Sequence, residues 1–379
     1  MIAVAARIAG AELRRALGRS VLSALTLSAL MFLTLTLAGL ADTLDRGSTG
    51  VLRTLDADLV IFNQEARQQL LRSRIPRPMT IGLPFVDGVH SVGTIGLVPT
   101  SARMPAGDVR VTLVGFSART PAEPTRVVEG RLPVDGEPRI AALDVSLKAQ
   151  GVRLGDTIVL GGDREVEVVG FVEDARFLQQ PTVWVPPDVW ALVRARVAPE
   201  AGYAEQLVGA GVVRVFPGAD PGEVAAAIEA ELDGVEVVTL EDAITSIPGV
   251  DVQRGTFTVL VAVSIAVVSF VVGLLSVLEV TERRRQLAIL RAVGAPRRVV
   301  RGALIARSML LWAVALVGGS VATWLLARVA PDAAPLGLRW PVLAVVGGGL
   351  LVATVIGTAV ALGRVSRIDP ATAMQVGQA

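Results

Sequence analysis

Hydrophobic and polar residues alternate on two quite different scales along this chain. Four stretches are apolar for twenty residues or more: "SVLSALTLSALMFLTLTLAGLA" at 20–41, "TFTVLVAVSIAVVSFVVGLLSVL" at 256–278, "ALIARSMLLWAVALVGGSVATWLLA" at 303–327 and "PVLAVVGGGLLVATVIGTAVALG" at 341–363. A helix needs about 20 mostly apolar residues to cross a bilayer. None of the four contains an aspartate or glutamate. Lipid offers backbone groups no partner, so each stretch is expected to be a helix. The first follows Arg14, Arg15 and Arg19 and ends in a small-residue "GLA" before Asp42, as a cleaved signal would. It is longer than the roughly 7–15 residues of a signal core, so an uncleaved anchor is expected.

Between the first and second runs the pattern shortens. Alternating or briefly apolar segments at 57–62, 109–116, 156–162, 165–172, 181–185, 212–216 and 235–240 predict strands, with "GGD" at 161–163 as a hairpin turn. In "DPGEVAAAIEAELDG", Asp220 suits an N-cap, Pro221 the first helical position and Gly234 the exit. A second short helix is predicted over 241–247. The expected fold is therefore an α-helical membrane protein with four transmembrane helices and a mixed α/β extracytoplasmic domain inserted between helices 1 and 2.

After the second run the helical period continues. Leu278, Leu287, Ile289, Leu290 and Val293 form a broken apolar stripe, and Glu279 stands four residues before Arg283. Gly294 suits a left-handed helix end, and Pro296 suits a new start. The result is a rigid helical elbow leading into the third run. On the fourth run Gly349, Ala353, Gly357 and Ala361 recur every four residues, a stripe on which helices can pack closely.

Arginine placement orients these elements. Arg7, Arg14, Arg15 and Arg19 precede the first run. Arg283, Arg284, Arg285, Arg291, Arg297, Arg298 and Arg301 lie between the second and third, and Arg364 and Arg367 follow the fourth. Four crossings put all three basic segments on one side, the cytoplasm. The expected layout is a cytoplasmic segment 1–19, helix 1 at 20–41, an external domain at 42–255, helix 2 at 256–278 and a cytoplasmic elbow at 279–302. Helix 3 at 303–327, an external loop at 328–340, helix 4 at 341–363 and a cytoplasmic tail at 364–379 complete it.

Composition removes several function classes. The net charge of +1 gives no field for nucleic acid. Cysteine is absent, and the one histidine, His90, reads as a loop residue between Gly88 and Gly93. Of 36 basic residues the only lysine is Lys148, in "DVSLKAQG", with no glycine loop before it. A Walker-type ATP site needs such a loop and lysine. Asp144, Asp156, Glu173 and Asp174 fall among turns, where carboxylates serve turn chemistry. No catalytic, cofactor or metal site is expected, and an enzyme is the least favoured class.

The segment "TERRRQLAILRAVGAPRRVVRGALIARSMLL" resembles the signature of FtsX/MacB-type (type VII) ABC transporter permeases. The tail "RVSRIDPATAMQ" resembles their closing motif, and "VRLGDTIVLGGDREVEVVGFVED" resembles a hairpin common in their external domains. The stretch before the second run is similar to the haem-exporter (HrtB-like) and DevC-like branches. It departs from them in having Gln253 and Arg254 where those branches tend to carry an acid. The resemblance implies a non-catalytic permease in the plasma (inner) membrane, moving hydrophobic or amphiphilic cargo outward by mechanotransmission. It implies ATP and Mg bound by a partner ABC ATPase, and a second copy of the permease. Surrounding lipids are implied too, and a periplasmic adaptor stays open. The elbow would couple to the ATPase through Glu282, Leu287, Ile289, Leu290, Arg291, Ala292, Gly294 and Ala295. The alternative is a non-transporting FtsX-like transmitter that regulates an external hydrolase or sensor.

Overall fold

The computed structural model describes residues 17–197, 207–282, 297–329 and 339–365. Two compact units divide the chain: Met1–Thr43 with Gly255–Ala379, and Leu44–Arg254.

The second unit is a mixed α/β body. Its strands are β1 (Leu59–Asn63), β2 (Ile75–Pro76), β3 (Val89–Met104), β4 (Gly107–Phe116), β5 (Val127–Gly130), β6 (Ile140–Asp144), β7 (Thr157–Leu160), β8 (Arg164–Val172) and β9 (Thr182–Val185). β10 (Leu207–Val208), β11 (Ala210–Val215) and β12 (Val235–Thr239) follow. The predicted segments all recur as strands. The sixteen-residue β3, with its run of half-buried and glycine positions, has no clean alternation and escapes a pattern-based reading. Among the described residues, ten strands form one sheet in the order β12-β1-β11-β3-β4-β9-β6-β8-β5, with β7 pairing both β3 and β8. That double pairing closes β3, β4, β9, β6, β8 and β7 into a ring. Closure leaves no free edge around the ring. The "GGD" turn joins β7 to β8, with Gly161 at φ 58° and Gly162 at φ 101°.

Three apolar cores hold the body. One fills the ring, with Leu113, Leu143, Ile158, Leu160, Val168 and Phe171 buried together. A second lies under helix α3 (Pro221–Glu231), where Val224 and Ile228 meet Leu59, Ile61 and Val213. Asp220 caps this helix by accepting the Gly222 N–H, as its sequence predicts. The third core packs the sheet against the ends of two long helices, at Val51, Leu52 and Val250. Helices α2 (Pro187–Val197) and α4 (Leu240–Thr245) complete the body.

The long helices are α1 (Leu17–Arg53), α5 (Val250–Glu282), α6 (Arg297–Val329) and α7 (Trp340–Val365). Each contains a window long and apolar enough to cross a membrane. α1 does not stop where its apolar run stops; it continues helical to Arg53.

Within the membrane unit the helices meet at small residues. Gly319 of α6 lies against Met31 and the Phe32 backbone of α1, and Gly318 lies against Ser28. On α7, a methyl group added at Gly357 would sit 3.3 Å from the backbone of Gly273 on α5, and one at Gly349 would sit 3.6 Å from Ile265. Ala353 is buried; the surroundings of Ala361 lie outside what is described. Trp312 of α6 donates its indole N–H to the Gly347 carbonyl at 3.2 Å. Small residues let backbones approach where no hydrophobic drive exists between helices. Gly357→Leu should therefore force α7 off α5 and cost about 1–3 kcal/mol, as overpacking does. Val355→Leu, at an exposed position, should shift stability by under about 0.5 kcal/mol. Thermal unfolding of the two variants in lipid checks this, and equal tolerance would refute it.

Candidate functional site

Of the expected coupling residues, Glu282 is the last described residue of α5. Leu287, Ile289, Leu290, Arg291, Ala292, Gly294 and Ala295 lie outside the described residues. Among the described residues, no group of three His, Cys, Asp or Glu is placed to hold a metal. The site with built geometry is elsewhere, where α1 and α5 enter the body.

Val51 and Leu52 of α1 are fully buried in the third core, beside Phe62, Phe116, Trp184, Ile247 and Val250. The loop between β8 and β9 grips this helix end through its backbone. Val51 donates its N–H to the Arg176 carbonyl at 3.1 Å, Leu178 donates to the Ser48 carbonyl at 3.2 Å, and Gln179 donates to the Gly47 carbonyl at 2.8 Å. The Gln179 side chain adds donations to the Leu44 carbonyl at 2.6 Å and to Ser48 Oγ at 2.9 Å. Such contact requires bare helix surface. A methyl group at Gly50 would collide with the Asp174 carbonyl and lie 2.8 Å from the Arg176 nitrogen, and one at Gly47 would collide with the Gln179 side chain.

The loop is held in an uncommon shape to do this. Asp174, Leu178 and Gln179 have φ of 54°, 47° and 65°, a conformation that costs L residues about 1–2 kcal/mol each. Phe177 and Gln180 exchange hydrogen bonds of 3.0 and 2.9 Å across the tip. Beneath it, Trp184 donates to Thr182 Oγ1 at 2.9 Å, and Thr182 donates to the Ala175 carbonyl at 2.8 Å. These bonds and those to α1 offset the strain.

A charge clamp ties the same helix end to α5. Asp45 accepts from Arg254 Nε at 2.5 Å and from Arg53 at 3.0 Å, while Arg254 also reaches Glu241 at 3.3 Å. Asp45 and Arg254 are mostly shielded from solvent. Arg254, noted in the sequence only as a departure from a branch pattern, thus has a structural reason. Asp45 and the loop residues carry no sequence signal beyond one acid at the end of an apolar run.

Asp144, at the end of β6, is buried and accepts from the Ser146 N–H at 2.8 Å and from the Ser146 hydroxyl, with Arg176 Nε 3.9 Å away. Burial pushes its carboxyl above the usual aspartate range, against the opposing pull of the Ser146 hydrogen bonds and Arg176. The arrangement offers no nucleophile with a base. Its contacts fasten the end of β6 to the turn that follows it.

Sequence comparison places this geometry. Residues 20–231 match the MacB-like periplasmic core domain, and residues 258–370 match the FtsX-like permease C-terminal domain. The chain belongs to the MacB/FtsX-type family of ABC transporter permeases. An uncharacterized ABC transporter permease of Mycobacterium tuberculosis is 26% identical over 364 residues, spanning 94% of this chain and 95% of its own length. One of Mycobacterium bovis is 26% identical over 367 residues with the same coverage. Among solved structures, the periplasmic region of MacB from Actinobacillus actinomycetemcomitans aligns with 52% of this chain and 96% of its own at 14% identity, with a TM-score of 0.38. The extracellular domain of the transporter YknZ from Gram-positive bacteria aligns with 48% and 99% at 17% identity, with a TM-score of 0.35. As a member of this family with four helices able to cross a bilayer, the permease is a multi-pass membrane protein.

Two measurements check the site. In a double-mutant cycle, Asp45→Asn and Arg254→Gln should couple by about 0.5–3 kcal/mol, as contacting charges do; additive effects would remove the clamp. Asp144 binds its proton more tightly folded than unfolded. Its stabilising contribution is complete below the unfolded pKa of about 4 and is lost as pH rises through the folded value. The melting temperature of the native permease relative to Asp144→Asn should therefore climb as pH falls from neutral toward 4. A difference that stays flat with pH would contradict the burial effect.

Proposed function

We propose that this chain is the permease subunit of an ABC exporter, in which a separate ATPase subunit hydrolyses ATP and drives outward movement of a hydrophobic or amphiphilic substrate by mechanotransmission. The reading carries two permease copies with two ATPase subunits. It places the chain in the plasma membrane, both termini cytoplasmic and the α/β body outside between helices 1 and 2. It rests on one observation above all. The ends of α1 and α5 are built into the body's core and clamped there, instead of being linked to it by loops. A helix attached in that way moves the body when it moves.

ATP and Mg belong to the partner, since this chain has no phosphate loop. The elbow at 279–302 is the receiving lever, with Glu282, Leu287, Ile289, Leu290, Arg291, Ala292, Gly294 and Ala295 in contact with the ATPase. Gly349, Ala353, Gly357 and Ala361 form a packing face of helix 4. The membrane supplies lipid neighbours, and an adaptor outside would extend the path.

Docking and mere charge anchoring differ in what they need. Leu290→Asp puts an unpaired charge into an apolar contact. Gly294→Val opposes a left-handed helix end, which a β-branched residue disfavours. Both leave every arginine in place. In reconstituted vesicles, each should reduce ATPase stimulation and co-purification of the ATPase to background, while membrane levels of the permease stay normal. Arg283→Lys with Arg284→Lys should change neither. Normal stimulation by Leu290→Asp and Gly294→Val would overturn the coupling role, and hydrolysis of ATP by the chain alone would overturn the assignment.

A further inference from the structure

The loop between β2 and β3 is anchored on its inner side and apolar on its outer side. It makes two single turns of 3₁₀ helix, Arg77–Thr80 and Leu83–Phe85, each with a proline in second place, and Gly88 closes it at φ 86°. Phe85 donates its N–H to the Gly82 carbonyl and Val86 to the Leu83 carbonyl, both at 3.1 Å. Leu83 is buried and Val86 packs on the same core as Val224 of α3. Phe85, between them, is left 87% exposed. A second phenylalanine joins it. Phe216 is half exposed, donates its N–H to the Gly88 carbonyl at 3.0 Å, and holds its ring centre 4.8 Å from that of His90. The other four phenylalanines of the body, Phe62, Phe116, Phe171 and Phe177, are all buried. Exposed phenylalanine is therefore confined to this one corner of the body.

The charge around these rings is of one sign. Residues 78–92 and 215–231 contain Asp87, Asp220, Glu223, Glu229 and Glu231 and no lysine or arginine. A methyl group at Gly88 would lie 2.5 Å from Val224. Asp87 and Glu223, the sequence neighbours of those two residues, are thereby brought to one rim of the patch, and both are exposed. The flanking Arg77 and Arg214 are paired with Asp188 and Asp56.

We propose that this corner captures a cationic amphiphile, a molecule that carries its positive charge beside an apolar group. The proposal rests on the export reading and narrows its hydrophobic or amphiphilic cargo to a positively charged one. The faces of Phe85 and Phe216 attract a weakly hydrated organic cation. Asp87 and Glu223 add attraction of the same sign, and the apolar part of the ligand covers ring surface that is otherwise in water. Other occupants fit the charge badly. A second copy that met this patch with its own would set acid against acid, since a twofold contact pairs a surface with itself. A bilayer with anionic headgroups meets the same repulsion. A metal ion gains nothing from the rings, and no group of three ligands is placed here to hold one.

The test uses the purified full chain in lipid nanodiscs and photo-crosslinking read by peptide mass spectrometry. The probes are a short-chain alkyltrimethylammonium with a diazirine beside its headgroup and an alkyl sulfonate of the same chain and label. The cation should label residues 78–90 and 215–223, and excess unlabelled cation should compete; the sulfonate should leave both segments unlabelled. Phe85→Ser and Phe216→Ser should each weaken that competition roughly two- to fivefold. Both positions are exposed, so the melting temperature should hold. Asp87→Asn with Glu223→Gln should weaken it too, most at low ionic strength. The proposal is overturned if the sulfonate labels the corner equally, which would mean bare apolar adhesion, or if the variants label like the native chain. It is also overturned if a diazirine-bearing phospholipid in the disc labels Phe85, which would mean that the bilayer covers the patch. Neither ATPase nor ATP enters the measurement. A null result strikes the capture surface and leaves the coupling role to Leu290→Asp and Gly294→Val.

Discussion

The backbone hydrogen bonds between residues 47–51 of α1 and residues 176–179 of the β8–β9 loop are the contact on which the body's organisation depends. Helical backbone is normally saturated, and side chains keep other backbone at a distance. Here glycines at 47 and 50 strip the helix face, and a strained loop tip supplies donors and an acceptor at the right height. Bonds between backbones have fixed length and few rotatable parts. A helix held by them cannot roll or slide without breaking several at once.

That joint is stiff only because its base is stiff. The loop is anchored at both ends in ring strands, β8 before it and β9 after it. Pairing gives β9 two partners and β8 three, so neither can be peeled away from an edge. The Trp184–Thr182–Ala175 chain of hydrogen bonds then locks the loop to β9. Asp45 adds the second helix to the same assembly, since it holds Arg254 and Arg53 together. Local strain at three residues persists because the surrounding contacts over-determine it.

Much of this architecture was legible in the sequence. Apolar runs of twenty residues have few physical outcomes, and short alternating runs flanked by glycine read as strands because sheet pleating has a period of two. The helix at Asp220 was legible because its cap, its proline and its exit are all local. What was not legible depends on distant partners. The sixteen residues of β3 serve three neighbours, so burial along them follows tertiary contacts and not a period. Arg254 is an oddity until Asp45, 209 positions away, stands beside it. The left-handed turn at Leu178 and Gln179 contradicts local preference, and no pattern of residue types announces it. Helix α2 was missed because its apolar residues face a sheet on one side and leave little polar contrast on the other.

The helices of the membrane unit are held by different means. Among the described residues, the hydroxyl contacts Thr34 to Ser264 and Thr36 to Thr323 stand at 3.5 Å, the outer limit of a hydrogen bond, and Thr358 to Ser308 reaches 3.0 Å. Thr34, Thr323, Thr354 and Thr358 each donate to the carbonyl four residues back in their own helix. Cohesion between the helices thus falls to shape, at glycines that face a neighbouring chain, and dispersion contacts between smooth faces change little for small displacements along them. The two units are held together by different kinds of contact. Directional bonds fix the C-terminal end of α1 and the N-terminal end of α5 within the body, while among the described residues packing sets most of the helix contacts in the bundle.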